Sequence, residues 1–256
     1  MTNSPTPANL REFVPQPRSL RDKVVLVTGA SDGIGRAVAV ATAQAGALVL
    51  LLGRSEEKLN TVHDEIVSNG GPRPIVVPVD FMQADGGVYM RLTEQIKTDF
   101  TKLDGLVHCA GILGEMTEIE HYDAQTWQEV MHVNVTAGFA LTKVLLPLLR
   151  EARGRVIFTS SSVGRRGRAF WGAYAVSKFA TEGLAQTLAE EQKPHGVTVN
   201  VINPGATRTA MRAQAYPMEV RDKLDGPETV APAYLYFLCS EDESQTGLSV
   251  DVKDPK

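Results

Sequence analysis

The chain alternates short apolar segments with longer helical patterns, and this alternation limits the folds that it can adopt. The first segment, Lys23–Thr28, is rich in valine and ends at a glycine, as expected of a strand buried on both faces. Six further segments of this kind follow it: Leu48–Leu52, Ile75–Val79, Gly105–Cys109, Arg155–Thr159, Val197–Ile202 and Leu248–Val252. Strands that alternate with helices predict an α/β fold, a doubly wound parallel sheet of about seven strands with helices on both faces.

Helix signals fill the intervals between these strands. Ser55 is a good N-cap and is followed by two glutamates, which favour a helix start. The other predicted helices run from the glycine turn to Ala45, over Val88–Phe100, over Asp123–Glu151, from Gly172 onward, and over Glu228–Leu238. The long helix contains Pro147, which removes a backbone donor, so we expect a bend or local adjustment there.

The length of the chain fits one domain. At 256 residues it can bury a large core without disulfides or metals. We therefore predict a single nucleotide-binding catalytic domain over residues 23–256. The preceding residues, 1–22, contain four prolines and predict an extended or mobile arm laid over the surface.

Charge and composition exclude several classes of function. The net charge is −4, and the one basic group, Arg165, Arg166 and Arg168, is too small to predict a nucleic-acid partner. No apolar run approaches the ~18 residues of a membrane span, and the N-terminal residues lack the apolar core of a secretory signal. Two cysteines fit a reducing compartment, so a cytoplasmic protein is predicted. The five histidines show no metal-ligand spacing, and we expect no metal.

A glycine-rich turn joins the first strand to the first helix of the domain. Gly29 permits a tight turn, Gly33 lets the backbone approach phosphates, and Gly35 lets the helix pack close to the strand. The helix N-terminus adds free N–H groups and a partial positive charge. The alternative is a glycine-rich corner without a ligand, because the spacing is not G-x-G-x-x-G. We predict a pyrophosphate site of a Rossmann-like fold at Gly29, Ser31, Asp32, Gly33, Ile34 and Gly35.

The end of the second strand indicates which dinucleotide binds. A carboxylate there would bond the ribose hydroxyls of NAD, but this chain has Gly53 followed by Arg54. A guanidinium matches a phosphate, and Ser31 can add a hydroxyl. We therefore predict NADP(H) in preference to NAD(H). The alternative for Arg54 is a solvated residue at a helix start, although a cation there opposes the helix dipole.

Tyr174 and Lys178 form the candidate reactive pair. On a helix they lie one turn apart on the same face. A neighbouring ammonium favours the phenolate, so we expect a lowered Tyr174 pKa and a role in proton transfer. Ser161, thirteen residues before Tyr174, can hold the reacting oxygen; Ser162 is the alternative. Two residues on a helix surface can also match this pattern by chance.

The rule that ligands bind beyond the carboxyl ends of parallel strands gathers the unusual residues at one edge of the sheet. The residues at or just past a strand end are Gly29, Gly53, Asp80, Ala110, Ser161 and Pro204.

Together these residues resemble the short-chain dehydrogenase/reductase family over nearly all of residues 22 to 252. The glycine turn resembles the family's Thr-Gly-x3-Gly-x-Gly. The family's Asn-Asn-Ala-Gly stands here as His108-Cys109-Ala110-Gly111, of which only the Ala-Gly half is kept. Asn134 in His-Val-Asn-Val-Thr-Ala-Gly matches the family's catalytic asparagine.

The resemblance implies a role for each matching residue. The catalytic set would be Asn134, Ser161, Tyr174 and Lys178. Tyr174 would exchange a proton with the substrate oxygen while hydride passes between cofactor and carbon. Lys178 would bind the nicotinamide ribose, and Asn134 would anchor a water that relays protons. The implied cofactor contacts beyond the glycine turn and Arg54 are Asp80 at the adenine, Ala110, Gly111, Tyr174, Lys178, and Pro204, Gly205, Thr207 and Thr209 near the nicotinamide.

The resemblance also implies partners. A small carbonyl or alcohol substrate is expected, and a homodimer or homotetramer through the long helix and the Tyr174 helix. The segment from Gly205 to Glu228 is shorter than the family's usual flap, which predicts an open cleft. Arg165, Arg166 and Arg168 could hold an anionic substrate, or form a solvated loop or subunit contact.

Two other functions remain open at this stage. A non-catalytic NADP-binding sensor or scaffold predicts a broken active-site set, whereas all four members are present. An epimerase or dehydratase shares Tyr-x3-Lys, but has a different glycine spacing and a longer C-terminal substrate domain.

Overall fold

A computed structural model describes residues 5–253 of the chain. Its seven strands form one parallel sheet in the order β3-β2-β1-β4-β5-β6-β7. The strands are β1 Val24–Thr28, β2 Leu48–Gly53, β3 Ile75–Pro78, β4 Gly105–His108, β5 Arg155–Thr159, β6 Thr198–Asn203 and β7 Ser249–Asp251. The predicted Rossmann-like α/β fold is confirmed, and each strand lies within one or two residues of its predicted bounds.

Nine α-helices lie in the described residues. They are α1 Pro7–Arg11, α2 Gly33–Gln44, α3 Glu56–Ser68, α4 Gly86–Phe100, α5 Ala124–Met131, α6 Ala137–Ala152, α7 Gly172–Gln192, α8 Ala210–Ala215 and α9 Ala231–Cys239. Short 3-10 turns cover Ile119–His121, Ser162–Gly164, Lys193–His195, Arg221–Lys223 and Pro227–Thr229. As predicted, the Ser55 side chain caps α3, where its hydroxyl accepts a hydrogen bond from Lys58 N at 3.4 Å.

The core has two layers, one on each face of the sheet. Alternate strand residues such as Val25 and Val27 pack with α2, α3 and α9, whereas Val24 and Leu26 pack with α4, α6 and α7. Both sets are nearly inaccessible to solvent, which is why every central strand reads as a continuous apolar run rather than an alternating one. The helices of both layers therefore hold the carboxyl ends of the strands in a fixed array.

The strand order reverses direction between β1 and β4. Chain order runs outward from β1 through β2 to β3, then returns to β4 on the other side of β1. Loops on the two sides of this point leave in opposite directions and open a crevice, the usual ligand position in such sheets. The glycine turn follows β1 and the Ala110-Gly111 segment follows β4, so both border this crevice.

The long helix is interrupted earlier than predicted. The backbone remains α-helical across Pro147, whereas residues His132–Thr136 form a π-helical segment between α5 and α6. Such segments add a residue to a turn and reorient side chains, and they are frequent at functional sites. Asn134 lies within this one.

The stretch Ala124–Ala152 is also long and apolar enough to cross a membrane by length and composition, contrary to the expectation from the sequence. Leu141, Leu145 and Leu149 on α6 are fully buried in the core layer. One face of α6 is therefore buried in the core layer.

The N-terminal segment is not simply an extended arm. Residues Pro7–Arg11 form α1, where Thr6 and Asn9 cap each other's backbone N–H groups. Leu10 is fully buried against the α9 layer, and the Phe13 ring lies edge-on to Tyr236 at 5.4 Å. The sequence prediction is wrong for this part because the burial of Leu10 and Phe13 outweighs the extended preference of the prolines.

Candidate active site

The glycine turn has the geometry that a close-approach site needs. Gly29 has a φ of +66°, and a Cβ there would lie 2.8 Å from Ala110 N. A Cβ on Gly35 would lie 2.2 Å from Gly29 O, so α2 meets the turn where only glycine fits. Gly33 has a φ of +54° and begins α2, with the Asp32 side chain accepting a hydrogen bond from Gly33 N at 2.7 Å. The next amides, at Ile34 and Gly35, have no partner within the helix.

A single hydroxyl ties the two sides of the crevice together. Thr28 Oγ1, at the end of β1, accepts hydrogen bonds from Cys109 N and Ala110 N, each at 3.1 Å. Thr28 is fully buried, so both bonds are shielded from water. The Ala110-Gly111 backbone is therefore held against the glycine turn.

Arg54 lies at the end of β2 and is exposed. Its guanidinium makes no hydrogen bond or ion pair with any described residue. Ser31 lies beside Gly53, because a Cβ on Gly53 would be 3.4 Å from Ser31 Oγ. A guanidinium without a partner among the described residues and a hydroxyl thus both lie near this strand end, where the sequence predicts the 2′-phosphate.

The remaining predicted cofactor residues lie along the same edge. Asp80 follows β3 and uses one carboxylate oxygen to accept a hydrogen bond from Met82 N at 3.0 Å. After β6, Thr207 is buried and donates to Gly205 O at 3.2 Å. The Thr209 side chain caps α8. It also lies close to the glycine turn, because its Cγ2 is 3.4 Å from the position that a Cβ on Gly33 would occupy. The loop after β6, which begins at Pro204, therefore faces the turn after β1.

The Ser161 side chain lies close to that of Tyr174. Tyr174 is in the first turn of α7, and the neighbouring Ser161 side chain acts to lower its pKa. Ser162 begins the following 3-10 turn and is exposed, and the buried Ser160 hydroxyl has no hydrogen-bond partner among the described residues. The geometry therefore favours Ser161 over Ser162 as the partner of Tyr174.

The pKa of Tyr174 differs from the sequence prediction. Burial raises the pKa of Tyr174 to about 12, and the nearby Ser161 side chain offsets only part of that rise. Lys178 Nζ lies 5.5 Å from the centre of the Tyr174 ring but donates to Thr159 O at 2.8 Å. The expected lowering by Lys178 is therefore wrong for this arrangement, because burial dominates.

Lys178 is a buried cation in a polar cage. Burial lowers its pKa to about 8, and the neighbouring Cys109 and Glu182 partly oppose that change. A Cβ on Gly111 would lie 4.0 Å from Nζ and 3.2 Å from Asn134 Oδ1. Lys178 thus reaches from α7 to the segment that follows β4.

Asn134 connects three elements. Its side-chain oxygen accepts a hydrogen bond from Ile112 N at 2.8 Å, and its nitrogen donates to Ile112 O at 2.9 Å. The same nitrogen donates to Ser177 Oγ at 3.0 Å, and Ser177 donates to Tyr174 O at 2.7 Å. A small cavity with about the space of one water molecule borders Asn134 and Lys178.

His108 and Cys109 stand where the family usually has two asparagines. His108 is stacked on Phe158 at 4.6 Å, and its Nε2 lies 2.8 Å from Thr142 Oγ1. Burial and the Lys178 charge lower the His108 pKa to about 3, so the ring is neutral. Burial raises the pKa of the partly buried Cys109 thiol to about 11, which makes it a poor nucleophile.

The three arginines of the loop after β5 have different environments. Arg165 pairs with Glu182 at 3.3 Å and Asp251 at 2.8 Å, and so links α7 to β7. This engagement contradicts a substrate role for Arg165. Arg166 and Arg168 are exposed, and Arg168 donates to the Tyr216 hydroxyl at 2.6 Å.

The segment after β6 covers the site. Met211, Ala215 and Tyr216 pack on Trp171 and Tyr174, and Tyr174 is only 8% exposed. The expected open cleft is therefore wrong at Tyr174, because Met211, Ala215 and Tyr216 of the short flap pack on the cluster that contains Tyr174.

One cluster of ligand-type side chains lies apart from this site. Among the described residues, Glu118, Glu120 and His121 bring one ligand atom each within 4.8 Å of the others. All three are exposed, and His121 already lies 3.7 Å from Glu120. Proximity of exposed acidic groups does not by itself indicate an ion.

The site fits a dinucleotide with a 2′-phosphate. The backbone of the glycine turn leaves no room for side chains at Gly29 and Gly35, as a cradle for phosphates requires. Arg54 supplies a cation that pairs with no carboxylate of the described residues. Tyr174, Ser161, Lys178 and Asn134 converge at the other end of the crevice. These residues define a nucleotide-dependent oxidoreductase class, and the chain belongs to the short-chain dehydrogenase/reductase family.

Comparisons with known proteins agree with this assignment. The family model described as short chain dehydrogenase matches residues 23–220. The Escherichia coli K12 protein YciK, described as an uncharacterised oxidoreductase, is 46% identical over 94% of this chain and 96% of its own. Two solved short-chain dehydrogenases are as similar. One from Shigella flexneri 2a, with NADP, is 46% identical with a TM-score of 0.90 and covers 93% of this chain and 99% of that one. One from Escherichia coli CFT073, with NADPH, is 47% identical with a TM-score of 0.91 and covers 94% and 100%.

The low pKa of Lys178 makes a prediction about stability. Between pH 8 and 10.5 the unfolded chain binds more protons at Lys178 than the folded chain does. The contribution of Lys178 to the free energy of unfolding therefore rises with pH across that window. Below the window this contribution is constant, because Lys178 is protonated in both the folded and the unfolded chain. We expect the difference in unfolding free energy between the wild type and Lys178→Met to shift in favour of the wild type as the pH rises. Urea unfolding of both proteins measures this, and parallel curves would contradict the buried-cation assignment.

Proposed function

We propose that the protein interconverts a carbonyl and an alcohol with NADP(H), and that Tyr174 is its acid–base group. The observation that carries the proposal is the placement of Ser161 and Lys178 beside the buried Tyr174 side chain, at the same edge of the sheet as the glycine turn. This constellation offers a proton and an oxygen-binding group at one point, next to a site shaped for a dinucleotide.

The preference for NADP(H) is supported by two observations. Arg54 is exposed at the end of β2 with no partner among the described residues, and Ser31 lies beside the preceding residue, Gly53. Two similar proteins were solved with NADP and NADPH. A guanidinium and a hydroxyl at this position can bind a 2′-phosphate. They do not supply the carboxylate that would bind the ribose hydroxyls of NAD.

Proton transfer in the proposed reaction follows from the state of Tyr174. Bound NADPH supplies the hydride that adds to the carbonyl carbon. The Tyr174 pKa of about 12 keeps the phenol protonated at neutral pH, so Tyr174 donates its proton to the carbonyl oxygen. Ser161 holds the same oxygen by a hydrogen bond. At neutral pH Tyr174 is therefore in the form that can donate a proton to a carbonyl oxygen.

Lys178 and Asn134 assist the proton transfer by Tyr174. Lys178 holds a positive charge near the phenolate that forms, which stabilises it. The Nζ is positioned by Thr159 O, and its remaining donors can bond ribose hydroxyls. Asn134 is held by hydrogen bonds with Ile112 and Ser177 and itself borders the small cavity, where a water would relay a proton to Lys178.

The test is turnover of a panel of aldehydes and ketones, followed by loss of the reduced nicotinamide absorbance, with NADPH and NADH compared. Faster turnover with NADPH, abolished in Tyr174→Phe, supports the proposal. Tight NADPH binding without turnover across the panel would instead support a non-catalytic sensor or scaffold. A cytoplasmic location and the absence of a nucleic-acid or membrane partner remain predictions.

We also propose that two copies pair through α6 and α7. Phe139, Val176 and Phe179 are each more than 40% exposed on these helices, which is unusual for large apolar side chains. Burial of this face against a second copy would remove the apolar surface from water.

Phe179→Glu is expected to convert a homodimer or homotetramer into smaller species, because a pair of carboxylates would lie in the contact. Light scattering after gel filtration measures the mass. Val14→Glu is the matched control, since Val14 is 81% exposed on the N-terminal segment, which packs on the other layer. A wild type that runs as a monomer would contradict the pairing.

A further inference from the structure

The flap and the loop after β5 meet in a cluster that the proposed chemistry does not use. Trp171 lies 5.7 Å from the Tyr174 ring on one side and 5.8 Å from the Tyr216 ring on the other. Leu113 and Val163 are buried in the same cluster. An apolar and largely aromatic wall therefore extends from the acid–base hydroxyl to Tyr216.

Two guanidinium groups lie at the far end of this wall. Arg212 is 3.7 Å from the centre of the Tyr216 ring and makes two hydrogen bonds to Glu219, both at 2.7 Å. Its charge is thus compensated. Arg168 is 5.8 Å from the same ring and donates to the Tyr216 hydroxyl at 2.6 Å.

Arg168 is the arginine that keeps an uncompensated charge. Its guanidinium forms no salt bridge with a described residue and makes one hydrogen bond among them, to the Tyr216 hydroxyl. The charge of Arg165, in the same loop, is by contrast compensated by ion pairs with Glu182 and Asp251. A guanidinium has five N–H donors and stays charged at any pH of interest, so most donors of Arg168 remain for an anion.

We propose that Arg168 determines specificity, and that the substrate is a carbonyl compound with an apolar body and a terminal anion. This inference rests on the proposed oxidoreductase function. The carbonyl lies at Tyr174, the apolar body replaces flap contacts along Trp171 and Tyr216, and a carboxylate or phosphate monoester binds Arg168. Both anions fit the planar donor fork of arginine.

The test compares matched aldehydes that differ in the terminal group. The probes are azelaic semialdehyde, its methyl ester, and the analogue with a phosphate monoester in place of the carboxylate. Each is reduced with NADPH by the wild type and by Arg168→Gln. We expect the kcat/KM ratio of acid to ester to fall about ten- to a hundredfold in Arg168→Gln, the loss typical of a charge-assisted hydrogen bond. The stronger of the two anionic probes identifies the preferred anion.

Three variants separate charge from other effects. Arg166→Gln removes an exposed arginine of the same loop and should keep the wild-type ratio. Arg168→Lys keeps the charge without the fork and should restore part of the ratio. Tyr216→Phe keeps the ring but removes the hydroxyl, so it reports the effect of freeing Arg168 from the flap.

A binding measurement gives a second readout that does not need turnover. Trp127→Phe leaves Trp171 as the one tryptophan. Quenching of its fluorescence by monomethyl azelate, compared with dimethyl azelate, reports recognition of the anion at the wall. Arg168→Gln should weaken binding of the monoester by the same factor as the kinetic ratio.

The outcomes distinguish the inference from the function on which it rests. An acid-to-ester ratio that Arg168→Gln leaves at the wild-type value overturns the inference, even while Tyr174-dependent reduction of the ester supports the oxidoreductase proposal. Arg168-dependent binding of the monoester without reduction of any probe supports the anion site and contradicts the oxidoreductase proposal. If the wild type neither prefers the acid nor binds the monoester, Arg168 is not a substrate residue.

Discussion

Tyr174→Phe is expected to lower kcat by about a thousandfold or more, because general acid catalysis contributes between about a hundred- and ten-thousandfold. The substitution removes only the hydroxyl. The ring keeps its packing against Trp171, so the cluster around it should stay intact. NADPH binding should persist, since the glycine turn and Arg54 are unchanged. The reaction is measured as NADPH oxidation with any carbonyl that the wild type reduces.

Tyr236→Phe is the matched control for this loss. Tyr236 also contacts other rings, Phe13 and Phe237, but it lies in the α9 layer on the opposite face of the sheet from α7. Its hydroxyl has no hydrogen-bond partner among the described residues. Near-normal turnover by Tyr174→Phe would show that another group moves the proton, whereas loss of NADPH binding in that variant would point to a folding defect.

Arg54→Ala is expected to weaken NADPH binding about ten- to a hundredfold, the size of a lost charge-assisted interaction. NADH has no 2′-phosphate, so its affinity should change far less. Fluorescence titration of both reduced nucleotides against both proteins measures the selectivity directly.

Lys58→Ala controls for the general loss of positive charge near the start of α3. Lys58 lies in the first turn of that helix and is exposed, but it is not at the strand end. It should leave the NADPH-to-NADH preference as it is. An equal loss of both nucleotides in Arg54→Ala would contradict the phosphate assignment and leave the choice of cofactor to other residues.

The sequence was sufficient for the sheet and for the edge at which the site lies. Buried strands such as Val24–Thr28 have continuous apolar runs bounded by glycine, a pattern that tertiary context rarely changes. Because the carboxyl ends of parallel strands share one edge, the glycine turn, Ser161 and the loop after β6 could be placed together before any coordinates were known.

The features that were predicted wrongly from the sequence depend on contacts between distant segments. The π segment at His132–Thr136 accompanies the bonds of Asn134 to Ile112, which no local pattern contains. The helix Pro7–Arg11 is stabilised by the burial of Leu10 against residues more than two hundred positions away. Leucine at position 10 and phenylalanine at 13, in a segment otherwise poor in large apolar residues, were the available signal.

The predicted direction of the Tyr174 pKa shift was wrong for a related reason. The spacing of Tyr174 and Lys178 correctly placed both on one helix face, and proximity alone suggested a lowered value. Burial beneath the flap has the opposite and larger effect on Tyr174, and it also lowers the pKa of Lys178. Charge separation can be estimated from a sequence, whereas desolvation cannot, because it depends on which elements cover the pair.

The strand order separates Arg54 from Ser161 and Tyr174, and this separation has a consequence for evolution. Arg54 directly follows β2, on one side of β1, whereas Ser161 and Tyr174 follow β5, beyond β4 on the other side. In the proposed function, the residue that selects the coenzyme and the residues that meet the substrate therefore lie on separate halves of the sheet. Mutations far enough apart to share no partners usually act independently. A lineage with this architecture can change its reductant without redesigning its chemistry, or acquire new substrates while keeping the same nucleotide.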